Sequence, residues 1–165
     1  MDPDDKDDFG KKLFQLCQNS DIKNLTKHLG KVEGYDKEIF EWTNNGGMTP
    51  LAQACSSSKE SLCLEMAELL LARKVNINST NKYGVTVLMA AAKRGHPNLC
   101  AFLIEKGADY EATDNKGKQA HSMSQSPAVQ EVFQAAFKKR DDAIRAKVTA
   151  ETAECSVRSD LIPIA

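Results

Sequence analysis

The sequence predicts an all-α repeat solenoid, and three observations predict it. One phrase occurs three times: GMTPLAQAC from Gly47, GVTVLMAAA from Gly84 and GKQAHSMSQ from Gly117. The three glycines stand 37 and 33 residues apart, a period that marks a repeated supersecondary unit. Between the copies, apolar residues recur at the i, i+3, i+4 spacing of a helix with one buried face. The phrase weakens along the chain. Thr49 and Thr86 give way to Gln119, and Pro50 to Val87 and Ala120.

Taken in order, residues 1–8 (MDPDDKDD) read as an acidic disordered tail. Asp7 and Asp8 stand where carboxylates favour the positive end of a following helix. That helix is expected over about 9–19, with Leu13, Leu16 and Cys17 on one face. Asn19 and Ser20 supply a turn, and Asp21 is a candidate N-cap for a second helix reaching Leu29. In 30–43, Phe40 and Trp42 alternate with polar neighbours, as in a short hairpin arm leaning on the core. Helices are expected over 50–57, where Pro50 suits the first turn, and over 62–73, joined by the long connection SSSKES. Val75 and Ile77 lead into the next hairpin arm. In 81–113, Ala90, Ala91 and Ala92 allow close packing, Gly95 turns the chain, and Pro97 opens a helix buried through Leu99, Cys100, Phe102, Leu103 and Ile104. Ser126-Pro127 reads as N-cap plus first-turn proline, opening a long helix to about Val148. Residues 149–165 carry little periodicity and are expected to be disordered.

Composition narrows the function classes. With 165 residues, 41% apolar and a net charge of -1, the chain suits one globular domain. A nucleic-acid binder normally carries a basic excess, which is absent, and no apolar run approaches the roughly 20 residues of a membrane span. The acidic N-terminal stretch lacks the apolar core of a secretory signal, so cytosol or nucleus is the expected compartment. Cys17, Cys55, Cys63, Cys100 and Cys155 are widely spaced and without a CxxC pair, and read as reduced core thiols.

The phrase GMTPLAQAC, its copy GVTVLMAAA and the closing Gly107-Ala108-Asp109 resemble the ankyrin repeat, specifically over 44–113 and more weakly over 9–43 and 114–137. The resemblance implies about four repeats, with units near 9–43, 44–80, 81–113 and 114–148 in a single domain spanning 9–148. The terminal units would be atypical caps, the last with an extended helix. Residues 30–43 exceed the family's usual connection by about five residues. Lys74 stands where the family has a left-handed glycine, which should cost on the order of 1 kcal/mol. The resemblance also implies binding rather than catalysis, on a concave face made of hairpin tips and first helices. On this chain those positions are Asn45, Gly46, Met48, Ser56 and Ser57, then Lys82, Tyr83, Val85, Lys93 and Arg94, then Asn115, Lys116 and Lys118. Five of these are basic and none is acidic, which favours an acidic peptide or protein partner through on-rate and register. Tyr83 among them is a candidate anchor.

Catalytic readings find little. His28, His96 and His121 are scattered, no short-spaced cluster offers a metal site, and no glycine-rich stretch cradles a phosphate. No enzyme activity, cofactor or small-molecule substrate is expected, and the chain reads as a monomer. A second surface is FQAAFKKRDDAIRAKV (133–148), with basic and apolar residues at helical spacing, fit for docking in a partner groove. Its Lys138-Lys139-Arg140 also has the composition of a weak nuclear-import cluster. The tail RSDLIPIA (158–165) is a candidate linear motif.

Overall fold

The structure, a computed structural model, describes residues 3–32 and 37–159, with side chains described over 3–32 and 38–147. Nine helices lie in these residues: α1 (Pro3–Gln18), α2 (Ile22–Leu29), α3 (Lys37–Phe40), α4 (Pro50–Ala54), α5 (Glu60–Leu71), α6 (Val87–Arg94), α7 (Pro97–Glu105), α8 (Ala120–Met123) and α9 (Pro127–Ser159). Among the described residues no strand is formed, and isolated antiparallel bridges join Thr80 to Thr86 and Thr113 to Gln119. The all-α repeat solenoid is therefore the observed architecture. The chain divides into two compact units, residues 1–132 and 133–165, where a single domain was expected through 148.

Within the first unit the helices form two layers. The first helices α1, α4, α6 and α8 follow one another in one layer, and the second helices α2, α5 and α7 in the other. The layers are joined by the hairpins α1–α2, α4–α5 and α6–α7. Side chains between the layers are fully buried, among them Leu13, Leu25, Leu51, Met66, Leu70, Leu88, Met89, Leu99 and Leu103. Each such burial contributes about 2 kcal/mol. Cys17, Cys55, Cys63 and Cys100 are free and buried in the same core, and burial pushes Cys17 and Cys100 up to about 12. The side chain of Cys155 lies outside the described residues.

Five elements differ from expectation. Helix α1 starts at Pro3, so residues 3–8 are helical rather than a disordered tail. Pro3 suits a first helical position, and Asp4 and Asp5 face the positive helix end. The turn is also held from outside, by Lys6 on Glu38 at 2.7 Å and by the Trp42 indole donating to Asp7 Oδ1 at 2.7 Å. Phe40 belongs to a helical turn, not a hairpin arm: Ile39 and Phe40 are consecutive and both buried, which strand alternation forbids. Helix α4 ends at Ala54, and α5 begins two residues earlier than expected, at Glu60. Helix α9 continues to Ser159, through a stretch expected to be disordered. Residues 160–165, and with them most of the candidate linear motif, lie outside the described residues.

Trp42 does lean on the core. It meets Phe14 edge-on with centroids 5.6 Å apart. Gly10 makes room, since a Cβ there would stand 2.6 Å from the Trp42 Cβ.

Candidate interaction surface

The hairpin tips are built by one local device used three times. Asn44 Oδ1 accepts the N–H groups of Gly46 and Met48 at 2.9 and 3.0 Å. Asn81 Oδ1 accepts from Tyr83 and Val85 at 2.9 and 3.0 Å, and Asp114 Oδ1 from Lys116 and Lys118 at 2.9 and 2.8 Å. An Asn or Asp side chain bonding backbone two and four residues on is a turn-forming interaction. Gly47, Gly84 and Gly117 close the turns, each at φ +73°, a conformation glycine enters without steric cost. The fourth unit thus keeps a complete tip although its phrase has faded.

Neighbouring tips are laced together. The Lys82 N–H donates to the Gly46 carbonyl at 3.2 Å and the Asn115 N–H to the Tyr83 carbonyl at 3.0 Å, while Asn115 Nδ2 donates to the Lys82 carbonyl at 3.1 Å. This ladder brings the tip residues into one row. In it Lys82, Lys116 and Lys118 are exposed, Met48 and Val85 half-buried, and Tyr83 70% exposed, an unusual position for a large aromatic.

Lys93 and Arg94 are also exposed, but they end α6, about 12 Å along that helix from its tip. The mapped positions therefore form two clusters. Among the described residues none of Lys82, Lys93, Arg94, Lys116 and Lys118 forms an ion pair with its side chain. Acidic groups do come near. Asp114 sits half-buried under the third tip with Oδ1 committed to the two N–H groups above. At the far cluster, burial pushes the Cys63 thiol above its usual range against the Ser57 contact, and the charges of Glu60 and Arg94 then act on it in opposite directions.

Ser56 and Ser57 have other work. Ser56 Oγ donates to the Ala52 carbonyl at 2.7 Å, and Ser57 Oγ receives the Ser20 hydroxyl at 3.3 Å. The Ser57 carbonyl lies 2.8 Å from His96 Nε2. Both serines are half-buried, and their hydroxyls are engaged in the fold.

The connection following them carries residues that sequence reasoning passed over. Glu60 reaches the start of α7, accepting from the Leu99 N–H at 3.0 Å and from Asn98 Nδ2 at 3.2 Å, so it supplies the cap that His96 does not. At the other end of α5, Arg73 donates to the carbonyls of Val32 and Leu29 at 2.7 and 3.0 Å, closing the negative end of α2. The available signal was the charge at each end of the helix, but its targets lie 39 and 44 residues away.

Among the described residues no His, Cys, Asp or Glu cluster is arranged to hold a metal ion, and no helix is long and apolar enough to cross a membrane.

The chain matches the family model for ankyrin repeats (3 copies) over residues 13–114. Its curated relatives include putative ankyrin repeat protein L271 of Acanthamoeba polyphaga mimivirus, 27% identical over 69% of this chain and 16% of that protein. Ankyrin repeat domain-containing protein 63 of Mus musculus is 29% identical over 54% of this chain and 24% of its own length. The probable 26S proteasome regulatory subunit p28 of Saccharomyces cerevisiae is 35% identical over 51% of this chain and 36% of its own length. The chain thus spans between about a sixth and just over a third of the length of these relatives.

Proposed function

The chain belongs to the ankyrin-repeat family, whose arrays are protein-interaction modules, and on that premise we propose that it is a non-catalytic adaptor or regulator binding an acidic peptide or protein face. The binding surface is the row of tips with the first-helix ends of repeats two and three. Tyr83 is the anchor. Lys82, Lys116 and Lys118 supply the field along the tips, and Lys93 and Arg94 supply it at the far end of α6. Met48 and Val85 offer apolar contact, while Ser56 and Ser57 are rim rather than contact residues.

The observation that carries this reading is the 70% exposure of Tyr83 beside lysines with no ion-pair partner among the described residues. An aromatic held out on a hydrogen-bonded tip is an inexpensive anchor, because few rotamers are lost on binding. The cations add steering and reject basic partners. The reading takes the chain as a monomer in cytoplasm or nucleus, without cofactor or nucleic-acid ligand.

Affinity capture from cell lysate tests it, comparing the wild type with the triple reversal K82E/K93E/R94E. The reversal should lose the acidic partners that the wild type retains, with an unchanged melting temperature. If both chains capture the same set, the basic surface is not the binding site.

A second reading has its own support. Helix α9 runs 33 residues and leaves Ile144 52% exposed. This favours a subunit or inhibitor that docks through the helix, with the repeats as scaffold, and the name of the p28 relative is of that kind. Deleting residues 138–165 separates the readings. Binding lost from a chain that still folds assigns the contact to α9, and binding kept assigns it to the tips.

A further inference from the structure

The N-terminal repeat carries a concentration of positive charge that the interaction surface does not use. Lys23, Lys27 and Lys31 follow one another at i, i+4 spacing along α2 and just past its end. Like charges at that spacing destabilise a helix. Cations are welcome at a helix C-terminus, but that position is already filled, because the Leu29 and Val32 carbonyls hold the Arg73 guanidinium. The stripe therefore exceeds what the helix end needs, although the Asp21 carboxylate offsets part of the Lys23 charge, and a local rule broken in this way is a mark of function.

The tertiary structure adds an open groove to the stripe. Between α1 and α2 lies a space of about 410 Å³ lined by Lys27 and Lys31 from one side and Lys12 of α1 from the other. None of the three lysines forms an ion pair among the described residues, and Lys12 acts on Asp21 through its charge. The acid in the described lining is Asp21, and both its oxygens are engaged by Asn24, through the backbone N–H at 3.1 Å and Nδ2 at 2.7 Å. His28 forms part of the wall, stacked on Phe9 with centroids 3.8 Å apart and its Nε2 at 3.3 Å from the Phe9 carbonyl. Burial holds this imidazole below its usual range against the Phe9 carbonyl contact, and the charges of Lys31 and Lys12 lower it further. Basic side chains from both walls thus border one space.

We propose that the groove between α1 and α2 binds a phosphate-bearing anion, held by Lys12, Lys27 and Lys31. A phosphoryl group suits this site better than a carboxylate, since it carries close to two charges at neutral pH and three strong acceptor oxygens. Lysine meets such a group as a compact point charge. The phosphoryl group has two sources, a free small molecule or a phosphorylated side chain of a partner, and both present the same chemistry to the three ammonium groups.

Isothermal titration of the full chain with inorganic pyrophosphate at pH 7.5 is the test, with a phosphoserine peptide and its unphosphorylated form as parallel arms. Saturable one-to-one binding is expected in at least one phosphate-bearing arm. It should weaken about fivefold in K12Q and about twenty-five-fold in K27Q/K31Q, at about 1 kcal/mol for each lost pair. Tighter binding of pyrophosphate assigns a free ligand, and tighter binding of the phosphopeptide assigns a tethered one. The substitution K82E, on the tip surface, should leave this binding unchanged, so the site stands or falls independently of the acidic-partner reading. Urea unfolding of K27Q/K31Q should show equal or higher stability, because a repulsion is relieved. Absence of saturation in every arm overturns the proposal. So does phosphate binding that survives both lysine variants.

Discussion

Repeat two (44–80) and repeat three (81–113) both end their second helix in a left-handed residue, Lys74 at φ +58° and Gly107 at φ +94°. Repeat three does so with the residue that has no Cβ to clash. Repeat two does so with a lysine, which must occupy a region costing L-residues about 1 kcal/mol or more. Their first helices differ as well. Helix α6 ends at the left-handed Gly95 and turns directly into α7. Helix α4 is followed by the cap Cys55 in the right-handed region, and residues 56–59 lead on to α5. The longer path is not idle chain, because it carries Glu60 to the start of the next repeat's second helix. Repeat three turns at glycines in both places, whereas repeat two has weaker local chemistry and lends Glu60 and the Ser57 carbonyl to the turn of repeat three.

The largest expected effect comes from the tips, where the two repeats behave alike. A Cβ on Gly84 would stand 2.6 Å from Asn115 Oδ1, and one on Gly47 would stand 2.9 Å from the Lys82 nitrogen. Both glycines also have positive φ. Gly84→Ala should therefore cost at least about 2 kcal/mol in urea unfolding, and Gly47→Ala nearly as much. Gly117 has the same φ and nothing within 4 Å of such a Cβ, so Gly117→Ala should cost only about 1 kcal/mol. Equal losses at all three glycines would show that conformation, not tip-to-tip packing, governs the row.

A smaller effect tests the tie between repeats. Glu60→Ala should cost about 1 kcal/mol, the usual value of a helix cap, and Glu60→Gln less, since one oxygen remains. If Glu60→Ala is neutral, the longer connection contributes nothing to the stack. The smallest effect has the opposite sign. Lys74→Gly should raise stability by about 0.5–1 kcal/mol, the strain relieved less the backbone entropy that glycine adds. A loss on making Lys74→Gly would mean that the lysine is held by more than its backbone.

These comparisons also separate what could be read from the chain from what could not. The tips and the fold class were legible because their determinants are local. An Asn or Asp accepts from N–H groups two and four residues on, and a glycine closes the turn. The strain at Lys74 was legible for the same reason. Threonine followed by a helix told as much, since Thr49 and Thr86 cap α4 and α6 through the Ala52 and Met89 N–H groups at 3.3 and 3.2 Å. Gln119 makes no such side-chain bond, and α8 is four residues long. The start of α1 and the turn at Ile39-Phe40 were misread because Lys6, Asp7 and Glu38 act across 32 and 35 residues. Of the candidate surface residues, the tip positions came together. Ser56 and Ser57 did not stay available, because carbonyl and hydroxyl partners elsewhere in the fold engage them.

Period, glycines and caps were enough to establish an ankyrin-repeat array, because each acts within a few residues and needs no neighbour to be in place. Packing alone determined the rest. It decided that Glu60 and Arg73 close the helices of other repeats, that Lys93 and Arg94 stand apart from the tips, and that Lys12 faces Lys27 and Lys31 across a groove. Those outcomes depend on charges brought together from distant parts of the chain, and their energies exist only once the helices are stacked.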